Sequence, residues 1–327
     1  MKTVARPSKK KPAAERPTLR LAMLGMIEGN GHPYSWSAIV NGFDADAMVK
    51  CPYQAIPGYL SAAEKRGPIG IPGAKVTHVW TDQAHEAPLV ARASCIPHVL
   101  DRPEDAIGKV DAVMLATDDG FNHVGRARPF VEAGLPVFVD KPLALTSKDL
   151  AIFSKWVKGG ARILSSSGMR YAPELDPWIR DRSSLGELRW LSGITCKAWE
   201  NYGIHALEPL FHIIGPGFES VRLESKPGLE VAHLEHRSGA QLTIPVIADG
   251  GASFGRYHLA GTEGQISIQC SDAYQAFRRQ VLEFVAFAGG GPKPYPFAET
   301  EEMMTILIAG IRSRERGSKR VALSEVR

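Results

Sequence analysis

Short segments rich in apolar residues recur along the first half of the chain, and each is followed by a turn and then by a helical pattern. Such segments are typical of strands that are buried on both faces of a parallel sheet. Because strands and helices alternate, we expect an α/β fold whose sheet is doubly wound, with helices on both faces. The predicted strands cover residues 19–25, 75–82, 111–117, 137–139 and 163–165.

A glycine-rich turn follows the first predicted strand. Gly25, Gly29 and Gly31 would let the backbone approach a pyrophosphate, and the helix after them would offer free N–H groups. These positions predict a cofactor-binding turn of the Rossmann type. Their spacing is G-x-x-x-G-x-G and not the G-x-G-x-x-G of the dinucleotide fingerprint, so an ordinary tight turn is the alternative.

Asp82 ends the second predicted strand, where dinucleotide-binding folds place an acid that accepts hydrogen bonds from the ribose hydroxyls. Its carboxylate would repel a 2′-phosphate. We therefore expect NAD as the cofactor and keep NADP as a possibility. A turn-forming aspartate is the alternative interpretation.

Lys141 stands directly after the predicted strand 137–139, in the sequence Asp140-Lys141-Pro142. Ligands of open α/β sheets bind outside the carboxyl ends of the strands. An ammonium group at that place can hold an alkoxide or carbonyl oxygen, or lose its proton and act as a base. The alternative is a solvated lysine that caps an edge strand.

Beyond Gly168 the pattern changes to alternating strands and a few helices, which predicts an α+β domain with a largely antiparallel open sheet. We expect a disordered basic arm over residues 1–18, a dinucleotide-binding domain over 19–142 and a second domain over 143–327. Within this division, 143–167 completes the first sheet. Residues 43–73, rich in Pro and Gly, are predicted to be an insertion that either closes over a ligand or forms a surface excursion or subunit contact.

Polar side chains at helical spacing occur early in the second domain. Asn201, His205 and Glu208 lie at i, i+4 and i+7, so one helix face would present an amide, an imidazole and a carboxylate. Together they could bind and deprotonate a hydroxyl, with Glu208 fixing the imidazole tautomer. One alternative is a structural histidine at a helix start. Another is a metal site that includes His212, but no fourth ligand has typical spacing, so we expect no metal.

Composition limits the classes of partner. The formal net charge is +4, and much of the excess lies in the first 20 residues, for which we expect a solvated tail in preference to a nucleic-acid tether. No apolar run is long enough to span a membrane. The four cysteines are scattered without a C-x-x-C motif, which argues against a disulfide framework or a zinc site. Their pattern fits the reducing environment of the cytoplasm, where we expect the protein to be located.

Five segments resemble, in their order and spacing, those of the glucose-fructose oxidoreductase and inositol dehydrogenase family, Gfo/Idh/MocA. The resemblance extends over about residues 19–326. The family's patterns D-A-V-x-I-x-T-P-x-x-x-H, E-K-P and D-x-G-x-H-x-x-D correspond to residues 111–123, 140–142 and 201–208, and 168–171 and 261–264 resemble two of its loops. The chain departs from these patterns at Asp118 (usually proline), Asp140 (usually glutamate) and Asn201 (usually a catalytic aspartate).

The resemblance implies a Rossmann domain and a C-terminal sheet domain with the active site between them. It also implies NAD or NADP, a carbohydrate-like substrate (a sugar, polyol or derivative) and a homo-oligomer, dimer or tetramer, formed through the C-terminal sheet. By position, Lys141 would hold the reacting oxygen and His205 would accept its proton. The other roles it implies are substrate binding by Arg170, Asn201 and Glu208, and a place along the nicotinamide for Thr117 and His123.

From the residues and the resemblance together we expect an NAD(P)-dependent dehydrogenase that acts on a CH–OH group. Two alternatives stay open. In one, the NAD is retained and cycles, so that the enzyme acts as a sugar epimerase, lyase or glycosidase. In the other, the protein binds a nucleotide or sugar without catalysis, which the asparagine at position 201 would favour because an amide cannot take a proton. The missing carboxylate would also leave Lys141 without its usual acidic neighbour.

Overall fold

The computed structural model describes residues 17–326. The arm expected over residues 1–18 therefore lies, except for its last two residues, outside the described part. The first half of the chain forms a parallel sheet of six strands in the order β3-β2-β1-β4-β5-β6, the order of a Rossmann fold. The strands are β1 (Leu19–Leu24), β2 (Ala74–Trp80), β3 (His98–Val99), β4 (Ala112–Leu115), β5 (Val137–Val139) and β6 (Ile163–Leu164).

The second half forms a seven-stranded sheet in the order β12-β11-β7-β10-β9-β8-β13. All its pairs are antiparallel except that of β7 with β10, so the sheet is mixed. The expected fold class, a doubly wound parallel sheet followed by an α+β domain with a largely antiparallel sheet, is confirmed. The strands are β7 (Leu188–Cys196), β8 (Phe218–Lys226), β9 (Leu229–His236), β10 (Gln241–Ile247), β11 (Arg256–Gly261), β12 (Gln265–Gln269) and β13 (Val321–Ala322).

Ten α-helices are present among the described residues. Local signals fix several of their ends: the Thr146 hydroxyl and the Asp272 carboxylate accept N–H groups of the first turns that follow them. The helices are α1 (His32–Asn41), α2 (Ala45–Met48), α3 (Ala55–Glu64), α4 (Ala87–Ala93), α5 (His123–Glu132), α6 (Ser147–Lys158), α7 (Asp176–Arg180), α8 (Trp199–Ile214), α9 (Ala273–Ala288) and α10 (Phe297–Glu315). None of the helices in this part of the chain is both long and apolar enough to cross a membrane.

The last helices return to the first half of the molecule. One face of the parallel sheet packs against α5 and α6, and the other packs against α1, α3 and α9. The Phe284 ring of α9 lies 5.5 Å from that of Phe138 in β5, and the Trp36 ring of α1 lies 5.3 Å from the same side chain. The aromatic contacts join α9 to the parallel sheet, and they bring the two halves of the chain together on one face of that sheet.

Residues 43–73 are more ordered than their composition predicts. They contain α2 and α3, and apolar side chains such as Met48 and Leu60 are buried. The Tyr59 hydroxyl donates a hydrogen bond of 2.5 Å to the Ser35 hydroxyl of α1, and Arg66 pairs with Asp272 at 2.9 Å. The insertion is therefore packed against α1 and the start of α9.

Candidate active site

A cavity of about 330 Å³ lies where the carboxyl edge of the parallel sheet meets α8 of the second half. Four of its lining side chains carry an imidazole, a carboxylate or an ammonium group: His32, Asp118, Lys141 and His205. The rest of the wall is largely apolar and aromatic, with side chains from both halves of the chain and from the insertion: Ile56, Tyr59, Met169, Tyr202, Phe254 and Phe277. A concave, mostly apolar site with a few convergent polar groups is typical of a small-molecule site.

Lys141 follows β5 and points its ammonium group at this cavity. The side chain is only 3% exposed, and its Nζ lies 3.2 Å from an oxygen of the Asp118 carboxylate and 3.3 Å from the Asn201 carbonyl oxygen. The Tyr202 ring lies 5.0 Å from the same Nζ. Asn201 gives Lys141 no carboxylate, as the sequence predicts, but Asp118, at the end of β4, supplies a negative charge that was not predicted from the sequence.

His205 lies on α8 on the other wall of the cavity. Burial lowers its pKa well below the ordinary value, and the positive charges of Lys141 and Lys197 lower it further. The imidazole is therefore neutral near neutral pH and can accept a proton. Its Nδ1 lies 2.7 Å from the Ser167 hydroxyl, so this serine orients the ring, whereas the sequence predicted that Glu208 would do so.

Glu208 and Arg170 lie behind His205 and do not line the cavity. The Glu208 carboxylate accepts a hydrogen bond from the Ser167 N–H, and Arg170 reaches Glu208 at 3.5 Å and Glu299 at 2.7 Å. Burial raises the pKa of Glu208 to about 7, although Arg170 and the Ser167 N–H oppose the shift. The resemblance implies that both residues bind the substrate. In the structure they instead support the loop around Ser167, which holds His205.

Asn201 faces a neighbouring cavity of about 450 Å³ that Ile27, Glu28, Asp118 and Lys197 also line. Its side-chain oxygen is buried and has no hydrogen-bond partner within the described range. The amide of Asn201 is thus available to a ligand in this second cavity, while its backbone carbonyl accepts from Lys141.

The glycine turn lies between this second cavity, which Ile27 and Glu28 line, and a third cavity of about 200 Å³. Gly25, Trp80 and Arg126 line the third cavity. Gly25 has a φ of +92° and Gly29 a φ of +81°. A Cβ on Gly25 would lie 2.6 Å from the Thr117 methyl carbon, so only glycine fits at that position.

Asp82 lies next to the glycine turn, as predicted, but its carboxylate has protein partners. One oxygen accepts from the Met26 N–H at 2.9 Å, and the other pairs with Arg126 at 2.7 Å. Arg126 belongs to α5 and lines the third cavity. An adenosine ribose would therefore meet an acid–base pair, not the lone carboxylate that the sequence predicted.

Thr117 and His123 are fully buried and line none of the three cavities. Burial lowers the pKa of His123, and its Nε2 lies 2.6 Å from the Thr117 carbonyl oxygen. The two residues tie the end of β4 to the start of α5. This arrangement differs from the implied place along the nicotinamide.

Three residues of the site were missed by sequence reasoning: His32, Asp118 and Ser167. Asp118 follows a predicted strand and His32 follows the glycine turn, so both stand at the carboxyl edge where ligands bind, and that rule could have found them. Ser167 has no comparable signal, because a serine between a strand and a turn is common. The described residues contain no group of His, Cys, Asp or Glu side chains that could hold a metal ion.

The residues at the carboxyl edge fit a dinucleotide. The glycine turn has the positive φ angles that close backbone approach needs, the N-terminus of α1 lies beside it, and cavities flank it on both sides. Residues 58–165 match the model of GFO_IDH_MocA, an oxidoreductase family with an NAD-binding Rossmann fold.

The expected resemblance to the Gfo/Idh/MocA family is confirmed over these residues, about a third of the chain. The expected NAD cofactor is confirmed by this match to an NAD-binding Rossmann fold. Inositol 2-dehydrogenase 1 of Saccharopolyspora erythraea is 38% identical to this chain over 105 residues. That match covers 31% of this chain and 31% of the relative, so the aligned part is about a third of the relative's length.

Two solved inositol dehydrogenase structures share the fold of this chain at low sequence identity. Scyllo-inositol dehydrogenase from Lactobacillus casei, with bound NAD(H) and scyllo-inositol, has a TM-score of 0.72 at 12% identity, and the match covers 94% of this chain and 99% of that one. Myo-inositol 2-dehydrogenase from Lactobacillus plantarum has a TM-score of 0.71 at 16% identity, with the same coverage. These matches support the two-sheet architecture.

Proposed function

We propose that the protein is an NAD-dependent oxidoreductase that transfers a hydride between a carbohydrate-like alcohol and nicotinamide. The observation that carries the proposal is that Lys141 and His205, from different halves of the chain, line one cavity. The inositol dehydrogenases named above support a polyol or sugar as the substrate class. Aromatic side chains such as Tyr202 and Phe254 supply flat apolar surfaces against which the C–H face of a sugar ring can pack.

The residues divide the proton and charge work between them. His205 is neutral and oriented by Ser167, so it accepts the hydroxyl proton of the substrate. The Lys141 ammonium, held by Asp118, stabilises the oxygen on which negative charge develops. Bound NAD supplies the hydride acceptor. In our proposal the glycine turn, Asp82 with Arg126 and the Asn201 amide hold the dinucleotide, and Arg170 and Glu208 act on the substrate only through the Ser167 loop.

The experiment that tests this function compares Lys141→Met with the wild type on a panel of inositols, sugars and sugar acids. We expect the variant to lose at least about 100-fold in kcat, since it removes a preorganised charge from the developing oxyanion. NAD affinity, measured by calorimetry, should stay nearly unchanged. Lys155→Met, on the exposed side of α6, is the matched control and should keep full activity. A fully active Lys141→Met protein would contradict the proposal.

We also propose the division of the chain into a Rossmann domain over 19–142, completed by 143–167, and a second domain that extends to residue 327. The second domain would form the homo-oligomer through the outer face of its sheet. That face carries Trp190 of β7, which is 40% exposed although it lies on a central strand. Exposed aromatic side chains on a flat sheet are typical of a protein interface.

A further inference from the structure

The cavity contains a second histidine that the proposed oxidation does not need. His32 is the first residue of α1, and its ring stacks on Trp36 at a centroid distance of 4.2 Å and meets the edge of Phe277 at 5.4 Å. The side chain is 16% exposed and is part of the cavity wall, together with Lys141 and His205. The aromatic contacts hold the ring in one orientation.

The Asp140 carboxylate contacts the Nδ1 side of this imidazole. The carboxylate is fully buried, and one oxygen lies 2.6 Å from His32 Nδ1 and 2.9 Å from the Asn30 side-chain amide. Burial raises the pKa of Asp140, but His32, Lys141 and Asn30 outweigh it, so the pKa lies below its ordinary value. The ionised carboxylate can only accept a hydrogen bond, so Nδ1–H donates to it, and in the neutral ring Nε2 is the nitrogen that can accept a proton. No hydrogen-bond partner of Nε2 occurs among residues 17–326.

We propose that His32, held by Asp140, is a second proton-transfer residue of this site, which acts on a carbon next to the one that is oxidised. The inference rests on the proposed function, because it needs the carbonyl group that hydride transfer creates. Two bases on opposite walls, His32 from the parallel-sheet side and His205 from α8, exceed what the oxidation of a hydroxyl requires. A carbonyl group acidifies the C–H bonds beside it, and these bonds give the second base a function.

The atoms balance without a further reactant. The C–H bond next to the carbonyl breaks, and its proton goes to His32 Nε2. The electron pair of that bond forms a carbon–carbon double bond, and the carbonyl oxygen takes up the charge beside the Lys141 ammonium. Return of the proton from His32 to the same face of the carbon reverses the step, whereas delivery from the opposite wall of the proton that His205 took from the hydroxyl inverts the configuration. Departure of a substituent from the next carbon, with the electron pair of its own bond, gives elimination. The site would thus suit isomerisation, epimerisation or elimination as well as oxidation.

The test measures two rates with 2-keto-myo-inositol as the probe in deuterated buffer. One is reduction of the ketone by NADH, and the other is deuterium uptake beside the carbonyl, followed by NMR. For His32→Gln we expect the ratio of uptake to reduction to fall about 100-fold, the typical contribution of a general base. His98→Gln, an exposed histidine on β3, is the control and should leave the ratio unchanged. An unchanged ratio in His32→Gln, or reduction without uptake by the wild type, would overturn the proposal.

A second measurement needs no turnover. Nitrogen NMR of ¹⁵N-histidine-labelled protein, with the His32 signals assigned by their loss in His32→Gln, reports which ring nitrogen carries the proton. We expect the Nδ1–H form in the wild type and its loss in Asp140→Asn. An Nε2–H form in the wild type overturns the proposal whatever the rates. A wild type that neither reduces nor exchanges the probe counts against the proposed function, and the tautomer then decides the role of His32 alone.

Discussion

The carboxylate that pairs with Lys141 belongs to the first half of the chain and not to α8. Lys141 takes its carboxylate from Asp118 on the parallel sheet, while Asn201 on α8 offers it only a backbone carbonyl. Because the Lys141 and Asp118 side chains are 3% and 9% exposed, water screens the pair little. The ammonium therefore keeps a defined position relative to both cavities without any acid from the second half of the chain.

We expect Asp118→Asn to lower kcat roughly tenfold, since one charge-assisted hydrogen bond contributes about 1.5 kcal/mol. Adding Asn201→Asp to this variant should restore most of the loss, because the carboxylate returns from the other wall. The measurement is steady-state kinetics on the wild type, both single variants and the double variant. If kcat of the double variant were no higher than that of Asp118→Asn alone, a carboxylate at position 201 could not replace that of Asp118, and the explanation would be wrong.

The pairing of Asp82 with Arg126 leads to a prediction on cofactor choice. We expect the wild type to prefer NAD, because the carboxylate repels a 2′-phosphate and occupies the guanidinium. In Asp82→Ser the guanidinium is free, so NADP affinity should rise by about tenfold or more relative to NAD. Calorimetric titration with both cofactors measures this ratio, and Asp82→Ser/Arg126→Leu is the matched control that should lose the gain.

At the scale of elements, the alternating strands and helices were predictable because the strands of the parallel sheet, apart from the two exposed residues of β3, are short segments rich in buried apolar side chains. The insertion was not. Its helix α3 contains Pro57 and Gly58, which weaken the helical pattern, and it is held by contacts distant in sequence, such as Tyr59 with Ser35. The helix α8 was likewise predictable, but the partners of its side chains were not. His205 contacts Ser167 because the loop after β6 passes α8, and no spacing within the helix indicates this contact.

The buried contacts of Glu208 with Arg170 and the Ser167 N–H predict a pH dependence of stability. The pKa of Glu208 rises from 4.5 to about 7 in the folded protein, so the folded state holds this proton more tightly than the unfolded chain. Its contribution to stability is present below pH 4.5 and is lost as the pH rises towards 7. We expect Glu208→Gln to lessen the fall in Tm between pH 5 and pH 7.5, as measured by calorimetry. An equal fall in both proteins would show that another group titrates there.

For the whole molecule, the sheet of the second half presents an outer face on which Trp190 stacks near His258 and donates to the Thr243 hydroxyl. We expect the wild type to sediment as a dimer or tetramer and Trp190→Asp to shift it towards the 35.5 kDa monomer, because a charge would be buried in the interface. Val49→Asp, at a 70% exposed position of the other half, should leave the mass unchanged. A monomeric wild type would refute the assembly.

The contact between His32 and Asp140 joins two positions that are 108 residues apart. A glutamate at position 140 would push its carboxylate about one methylene further, into the space that the imidazole fills, and the buried acid would be left unpaired without the histidine. Neither residue can then change alone without cost. In the descent of this chain, the histidine of the turn and the aspartate before Lys141 should have been inherited together, so that related sequences carry both residues or neither.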